Sequence, residues 1–323
     1  MAHCLHKGAY ASPNIGVMTY PRSHLVDPDG GTYHVCSRCV RRTFLCGLDD
    51  LTGRDFSHRR RWIQSRILAL SNIFSISIYA YAVMSNHYHI VLSIDPLDLT
   101  DEQVADRWLQ LCPVANQNEN AQTLHAARHW AIINNKERLA ELRARLCSLS
   151  WFMRFINEPL ARLANKEDCC TGRFWEGRFK SQILLDEASV LACMVYVDLN
   201  PVRAGLADEL EDSDYTSIQH RLANDRGEDE IAPLNGSQGS PSFAPLPLAD
   251  YVNLVRWTAN AQSYIRRSSH IDVYQCLRSN HTTYDGWFRD NLPKPHCWQR
   301  AMGSADALKE HAKAIGQCWI KRQ

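Results

Sequence analysis

Apolar and polar side chains alternate most regularly along residues 74–84, where isoleucine and alanine positions interleave with serine and tyrosine positions. This period of two predicts a β-strand with Ile78 and Ala80 on the same face of a sheet. A polar Ser-Asn turn follows. The largely apolar segment 87–94 then predicts a second strand that returns beside the first as a hairpin.

Other segments repeat their apolar residues every three or four positions, which is typical of helices that pack on a core. Segments 57–71 and 149–165 show this spacing. A third helix is predicted to begin after Asp186, whose carboxylate can cap a helix N-terminus, and to end before Pro201.

Two further segments complete the predicted order of elements. Segment 31–38 follows a glycine-containing turn and alternates well enough for a first strand, and segment 172–185 has an internal glycine and predicts a hairpin or a bent strand. The resulting order is strand, helix, strand, strand, helix, strand, helix. This is the split βαβ pattern of ferredoxin-like domains, so we predict an α+β fold in which helices cover one face of an antiparallel sheet.

Composition suggests how the rest of the chain is organised. Residues 1–30 are polar and contain three prolines, which predicts a loose N-terminal arm. Residues 95–147 are rich in Gln and Asn and contain helical stretches, which predicts a helical insertion. Residues 231–248 have the Pro, Gly and Ser content of a linker. Residues 249–323 hold four tryptophans and predict a small helical region. The main domain is therefore placed at 31–230.

Overall composition narrows the function classes without choosing one. The 323 residues are 45% hydrophobic, enough for a real core, and the formal net charge is only +1. A global basic field for nucleic acid is therefore excluded, although a local basic groove is not, because steering depends on where charges lie. No stretch approaches about 18 consecutive apolar residues, so no membrane partner is expected. The start also lacks the apolar segment of a signal peptide, which predicts a cytoplasmic protein.

The twelve cysteines are more consistent with reduced thiols than with a disulfide scaffold, given this location. Cys36, Cys39 and Cys46 form a C-x2-C-x6-C pattern. A closed zinc site needs four ligands at suitable spacing, and no matching second half follows. The pattern therefore does not favour zinc.

The chemistry of the chain centres on His87 and His89, which point to the same side of the predicted strand and can hold one divalent cation. Hydrogen bonds at a sheet edge would satisfy an isolated pair equally well. Tyr196 and Asn200 lie four residues apart and so share one helical face, where they offer a phenolic and an amide oxygen. Each also has an ordinary structural explanation, since Tyr196 suits a half-buried aromatic position and Asn200 suits a helix C-cap.

Three motifs in a fixed order resemble a known family. They are the His87-Tyr88-His89 strand, the "WEGRFKS" segment at 175–181 and the "YVDLNPVRAG" helix at 196–205. The chain resembles the HUH tyrosine transposases of small, hairpin-ended insertion sequences, especially their REP-associated relatives, over roughly residues 31–220. Cys39 departs from the pattern, because a glycine is common at its position. The insertion at 95–147 and the C-terminal region also exceed the minimal family pattern.

The resemblance implies a metal-dependent single-strand DNA endonuclease and strand transferase. His87 and His89 would bind Mg²⁺ or Mn²⁺ with Asn200 as third ligand. Tyr196 would attack the scissile phosphate and leave a 5′-phosphotyrosine link. The expected partner is single-stranded or hairpin DNA, with the protein nucleoid-associated when bound. No nucleotide cofactor is expected, because the ester stores the bond energy. The minimal enzymes act as dimers and the REP-associated relatives as monomers, so either state fits.

Basic and aromatic side chains near these motifs are candidates for tracking phosphates and stacking on unpaired bases. The candidate DNA contacts are Arg38, Arg173, Trp175, Arg178, Lys180 and Arg203. Core aromatics that alternate with exposed charges would explain the 172–185 segment without DNA. Arg59, Arg60 and Arg61 form either a phosphate-tracking run or a solvated helix face.

Two other functions stay open on the sequence alone. A domesticated protein that binds hairpin DNA or RNA without cutting would have no need of the intact His, Tyr and Asn set. An unrelated metal phosphoesterase could use the H-x-H strand with water as nucleophile, and its activity would survive the loss of Tyr196.

Overall fold

The structure is a computed structural model, and it describes residues 30–40, 46–47, 53–96, 98–113, 121–223, 233, 246–263 and 298–317. The predicted arm, apart from Gly30, and most of the predicted linker lie outside these residues, as do Trp287 and Trp319.

Five strands of the described residues form a single sheet. They are β1 (Gly31–Arg38), β2 (Ile76–Val83), β3 (His87–Ile94), β4 (Lys180–Leu184) and β5 (Ala301–Met302). Their order across the sheet is β2-β3-β1-β4-β5. The first four pair antiparallel, whereas β5 adds to β4 in parallel. The predicted segment 172–185 contributes one strand, β4, and not a hairpin. The fold is thus α+β, and the finer ferredoxin-like assignment stays a prediction.

Ten helices are described around this sheet. They are α1 (His58–Ser71), α2 (Asp101–Leu111), α3 (Ala121–Ile133), α4 (Lys136–Leu146), α5 (Leu149–Glu167), α6 (Glu187–Asp198), α7 (Asn200–Arg203), α8 (Ser217–Ala223), α9 (Leu248–Ser263) and α10 (Ala305–Ala314). Asp186 caps α6 by accepting from the Ser189 amide, as its position predicts. Helix α6 ends before Pro201, as predicted, but a second short helix then includes this proline. It lies in the first turn of α7, where a missing N–H is not needed.

Helices cover both faces of the sheet, so the expected one-sided cover is wrong. Tyr33 and Ile90 point to the face that packs on α1 and α5. Ala82 and Val91 point to the other face, which packs on α6 and α8, and α9 packs in turn on α6. Helix α6, whose sequence is mostly apolar, buries the small side chains of this second face.

A β-bulge changes the face assignment within β2. The pairing with β3 shifts register between Ile78 and Ala80. Ile78 consequently packs in the core beneath α1 and α5, whereas Ala80 packs beneath α6. The prediction that both residues share a face is therefore wrong, because one extra residue in a strand inverts the alternation that follows it.

The predicted helical insertion contains α2, α3 and α4, and it joins the core through α2 and α4. Trp108 and Leu142 lie in the same buried cluster as the sheet residues above α1 and α5. Helix α3 has no buried residue and packs on α2 and α4. None of the described helices is long and apolar enough to cross a bilayer.

Candidate active site

The two histidines of β3 lie on the sheet face that packs on α6. His89 pairs with Cys36 of β1 on one side and with Ala82 of β2 on the other. His87 begins the strand opposite Arg38. Strand alternation therefore places both imidazoles on one side, as predicted, with ring centroids 4.9 Å apart.

Hydrogen bonds orient both rings through the same nitrogen. Nδ1 of His87 lies 2.5 Å from the Asn86 side-chain oxygen, to which it donates. Nδ1 of His89 lies 2.9 Å from Nε2 of His34 on β1. Nε2 of each β3 histidine has no hydrogen bond to a described residue, and this nitrogen is the one that remains to bind a cation.

Burial keeps these imidazoles neutral near pH 7. Desolvation lowers the pKa of His87 to about 4, and the Arg38 charge acts in the same direction. Desolvation also lowers the pKa of His89 well below its usual value, and the neighbouring His34, His87 and Arg38 add to this effect. A neutral imidazole has a free lone pair, which is the form that binds metal ions.

Helix α6 brings Tyr196 against this pair. The Tyr196 ring centroid is 5.8 Å from that of His89 and 6.0 Å from that of His34. The Arg203 guanidinium carbon is 5.1 Å from the Tyr196 ring centroid. Burial raises the pKa of Tyr196, whereas the Arg203 charge and the Asn200 side chain lower it. The predicted nucleophile and the histidine strand thus meet although a hundred residues separate them.

Asn200, one turn after Tyr196, begins the short helix α7. Its Nδ2 atom is buried and has no hydrogen-bond partner among the described residues. The amide oxygen, and not this donor nitrogen, is the atom of Asn200 that can bind a cation. Two imidazole nitrogens and an amide oxygen form a mixed N/O donor set that Mg²⁺ or Mn²⁺ can accept. No described group of three His, Cys, Asp or Glu side chains is arranged for a metal, so this set depends on the amide.

Three residues near the site do not belong to the predicted set. They are His34, Gln182 and Trp298. His34 and Gln182 are paired neighbours on β1 and β4, and the Trp298 ring centroid lies 4.8 Å from that of His34. Alternation along 31–38 and 180–184 places the first two on the histidine face, but only the strand register shows that they meet. No sequence pattern links Trp298 to them.

The predicted DNA contacts fall into two groups. Arg38 and Lys180 are exposed on the sheet face that carries His87 and His89. Arg203 is exposed on α7, the short helix after Tyr196. By contrast, Trp175 and Arg178 line a groove of about 610 Å³ against α5, on the other face of the sheet. Arg173 is exposed beside this groove, and its guanidinium donates to the Glu176 carbonyl.

Trp175 makes several contacts that stabilise the fold. Its ring packs edge-on against Tyr88 and Phe174, and its indole N–H donates to the Asn157 carbonyl at 2.9 Å. Arg59 also has a structural role. It is 1% exposed and pairs with Glu167 and Asp168, so it belongs neither to a solvated face nor to a phosphate-tracking run.

Comparison with known proteins adds one structural similarity. No family model matches the chain, and no curated protein matches it. Among solved structures, the chain is similar to a REP-associated tyrosine transposase bound to a REP hairpin, with 13% identity and a TM-score of 0.37. The similarity covers 67% of this chain and 90% of that one. At this level it does not establish the family of this chain.

Proposed function

We propose that this chain is a metal-dependent single-strand DNA endonuclease and strand transferase of the HUH tyrosine transposase kind, acting on hairpin-forming DNA. The observation that carries the proposal is the position of the Tyr196 ring, 5.8 Å from the His89 ring. The order of the three sequence motifs supports it independently. The alternative is a related protein that binds hairpin DNA or RNA without cutting.

In this proposal the metal ligands come from two elements. His87 and His89 on β3 and Asn200 on α7 would hold Mg²⁺ or Mn²⁺, which when bound would polarise the scissile phosphate. The lowered pKa values of the histidines keep both rings in the binding form at neutral pH.

Tyr196 would act as the nucleophile in an in-line displacement. Its phenolic oxygen forms a bond to phosphorus while the bond from phosphorus to the 3′ oxygen breaks. The phenolic proton is lost and the departing 3′ oxygen gains one, so no net proton, oxidant or nucleotide is consumed. Arg203 favours the phenolate, because its charge lowers the pKa that burial of Tyr196 raises. A second 3′-hydroxyl would reverse the step and join a new strand.

The proposal is tested by trapping the covalent intermediate. The full chain is mixed with Mg²⁺ or Mn²⁺ and labelled single strands from the DNA that flanks its gene, and the products are run on a denaturing protein gel. We expect a labelled, shifted band that disappears with EDTA. Tight hairpin binding without any band, for either metal and every flanking strand, would favour the non-cleaving alternative.

We expect His89→Ala and His87→Ala each to weaken Mn²⁺ binding by at least about 100-fold, since even loss of a group that only orients a ligand costs 10–100-fold. Mn²⁺ titration followed by electron paramagnetic resonance measures this directly. His125→Ala is the matched control, because His125 is exposed on α3. Equal affinity in all three variants would contradict the proposed ligand set.

Lys180→Ala is expected to weaken single-strand binding and to reduce the salt dependence of log Kd by about 0.7, the value for one lost phosphate contact on a single strand. The reason is that Lys180 is exposed and pairs with Cys36 opposite His89. Lys136→Ala, an exposed lysine at the start of α4, serves as control. Identical salt slopes for the two variants would show that the DNA single strand does not contact Lys180.

A further inference from the structure

His34 has no part in the proposed cleavage, yet it is the most buried of the three imidazoles at the site. It is 1% exposed and lies on β1 opposite Gln182 of β4, diagonally across from His89. Trp298 packs against its ring. A buried imidazole is costly unless its nitrogens are used, so its position between these groups calls for a specific reason.

The contact between His34 and His89 links the tautomers of the two rings. Nε2 of His34 and Nδ1 of His89 are 2.9 Å apart, and one of them carries the shared proton. His89 can bind a cation through Nε2 only if its proton lies on Nδ1. His34 must then accept at Nε2 and carry its own proton on Nδ1. Nδ1 of His34 is buried and has no hydrogen-bond partner among the described residues.

We propose that His34 is a positioning residue that holds His89 in its Nδ1-protonated tautomer and so keeps Nε2 of His89 free for Mg²⁺ or Mn²⁺. This inference rests on the proposed metal-dependent function. His87 is held in the equivalent way by the Asn86 side chain. The two ligands would therefore each have an orienting partner, one from a neighbouring strand and one from the preceding turn.

The surroundings of His34 suit an acceptor. The ring is almost fully buried, which disfavours the doubly protonated form. A doubly protonated ring would donate from both nitrogens and would oppose a cation nearby. Trp298 covers the His34 ring and reaches β4, where its indole N–H donates to the Ser181 carbonyl. This contact restricts the orientation of the His34 ring.

The first experiment reads the tautomer in the metal-free full chain, without DNA. Long-range ¹H–¹⁵N correlation spectra of histidine-labelled protein distinguish protonated from unprotonated ring nitrogens, and His89→Gln identifies the His89 signals. We expect Nδ1 of His89 to be protonated and Nε2 to be unprotonated. The opposite tautomer in the wild-type chain would overturn the inference, and this measurement needs no folded His34 variant.

The second experiment measures Mn²⁺ affinity by electron paramagnetic resonance. His34→Phe keeps an aromatic ring against Trp298 but removes the acceptor, so affinity is expected to fall about 10- to 100-fold. His34→Gln retains an acceptor near the position of Nε2 and should recover most of the affinity. His125→Phe makes the same substitution at an exposed position of α3 and should leave the affinity unchanged.

The outcomes separate this inference from the proposed function. Mn²⁺ binding by wild-type protein that is equal in His34→Phe would overturn the role of His34 and leave the metal site standing. Absence of Mn²⁺ binding by wild-type protein would overturn both. Failure to trap a DNA adduct, with the expected tautomer and affinities observed, would contradict only the cleavage reaction.

Discussion

Tyr196→Phe is expected to abolish the covalent protein–DNA adduct completely while hairpin binding changes little. The substitution removes the single oxygen that would attack phosphorus and leaves the ring against His34 and His89. Loss of a nucleophile removes the intermediate itself, so the effect is all or none. The readout is the labelled band on a denaturing gel, with hairpin affinity measured in parallel.

Tyr88→Phe is the matched control for this prediction. Tyr88 lies on the same strand as the histidines but faces α5, where its hydroxyl donates to Asn157. It should keep the adduct. An adduct that persists in Tyr196→Phe would contradict the proposed nucleophile. Strand cleavage that persists without an adduct would point instead to a metal phosphoesterase that uses water.

The second large effect concerns stability. Asp198, two residues after Tyr196, is fully buried and accepts hydrogen bonds from Ser217, from the Ile218 amide and, at 2.5 Å, from Tyr251. It therefore ties α6 to α8 and α9.

Asp198→Ala is expected to lower the free energy of unfolding by about 3–5 kcal/mol, because it leaves the buried donors of Ser217, Ile218 and Tyr251 without their acceptor. Urea unfolding measures this. Asp208→Ala, at an exposed position in the same region, should change stability by no more than about 0.5 kcal/mol. A small effect for Asp198→Ala would mean that α8 and α9 do not hold the tyrosine helix in place.

The same carboxyl group also predicts a pH dependence. Burial raises the pKa of Asp198 to about 6, although Ser217, Tyr251 and Arg221 act in the opposite direction. A carboxyl group with a raised pKa in the folded state stabilises most when it is protonated, and this contribution is lost as pH rises through 6. The stability of the wild type relative to Asp198→Asn should therefore fall between about pH 4 and 7. A flat difference would show that Asp198 does not titrate in this range.

Local patterns predicted most elements and the main site residues. Period-two alternation located β1, β2 and β3, helical spacing located α1 and α5, and the Asp186 cap located the start of α6. These features depend on neighbours in the chain, so the sequence contains them directly. The meeting of Tyr196 with His89 came from the family resemblance, since spacing along the chain does not reveal a contact between β3 and α6.

The errors have physical causes that act between elements. The bulge after Ile78 depends on how β2 pairs with β3, and it moved Ala80 to the other face. The cover on both faces depends on α6 and α8 packing on the second face, and these helices lie far from the first three strands in the chain.

The sequence by itself determined the strands and helices, because hydrophobic period and capping act over a few residues. It also supplied directly the His, Tyr and Asn side chains on which the proposed chemistry depends. Only the tertiary structure decided that His34 contacts His89, that Asp198 joins three helices, and that the basic residues divide between two faces. These contacts depend on strand register and helix packing, which are set by the whole core and not by any one segment.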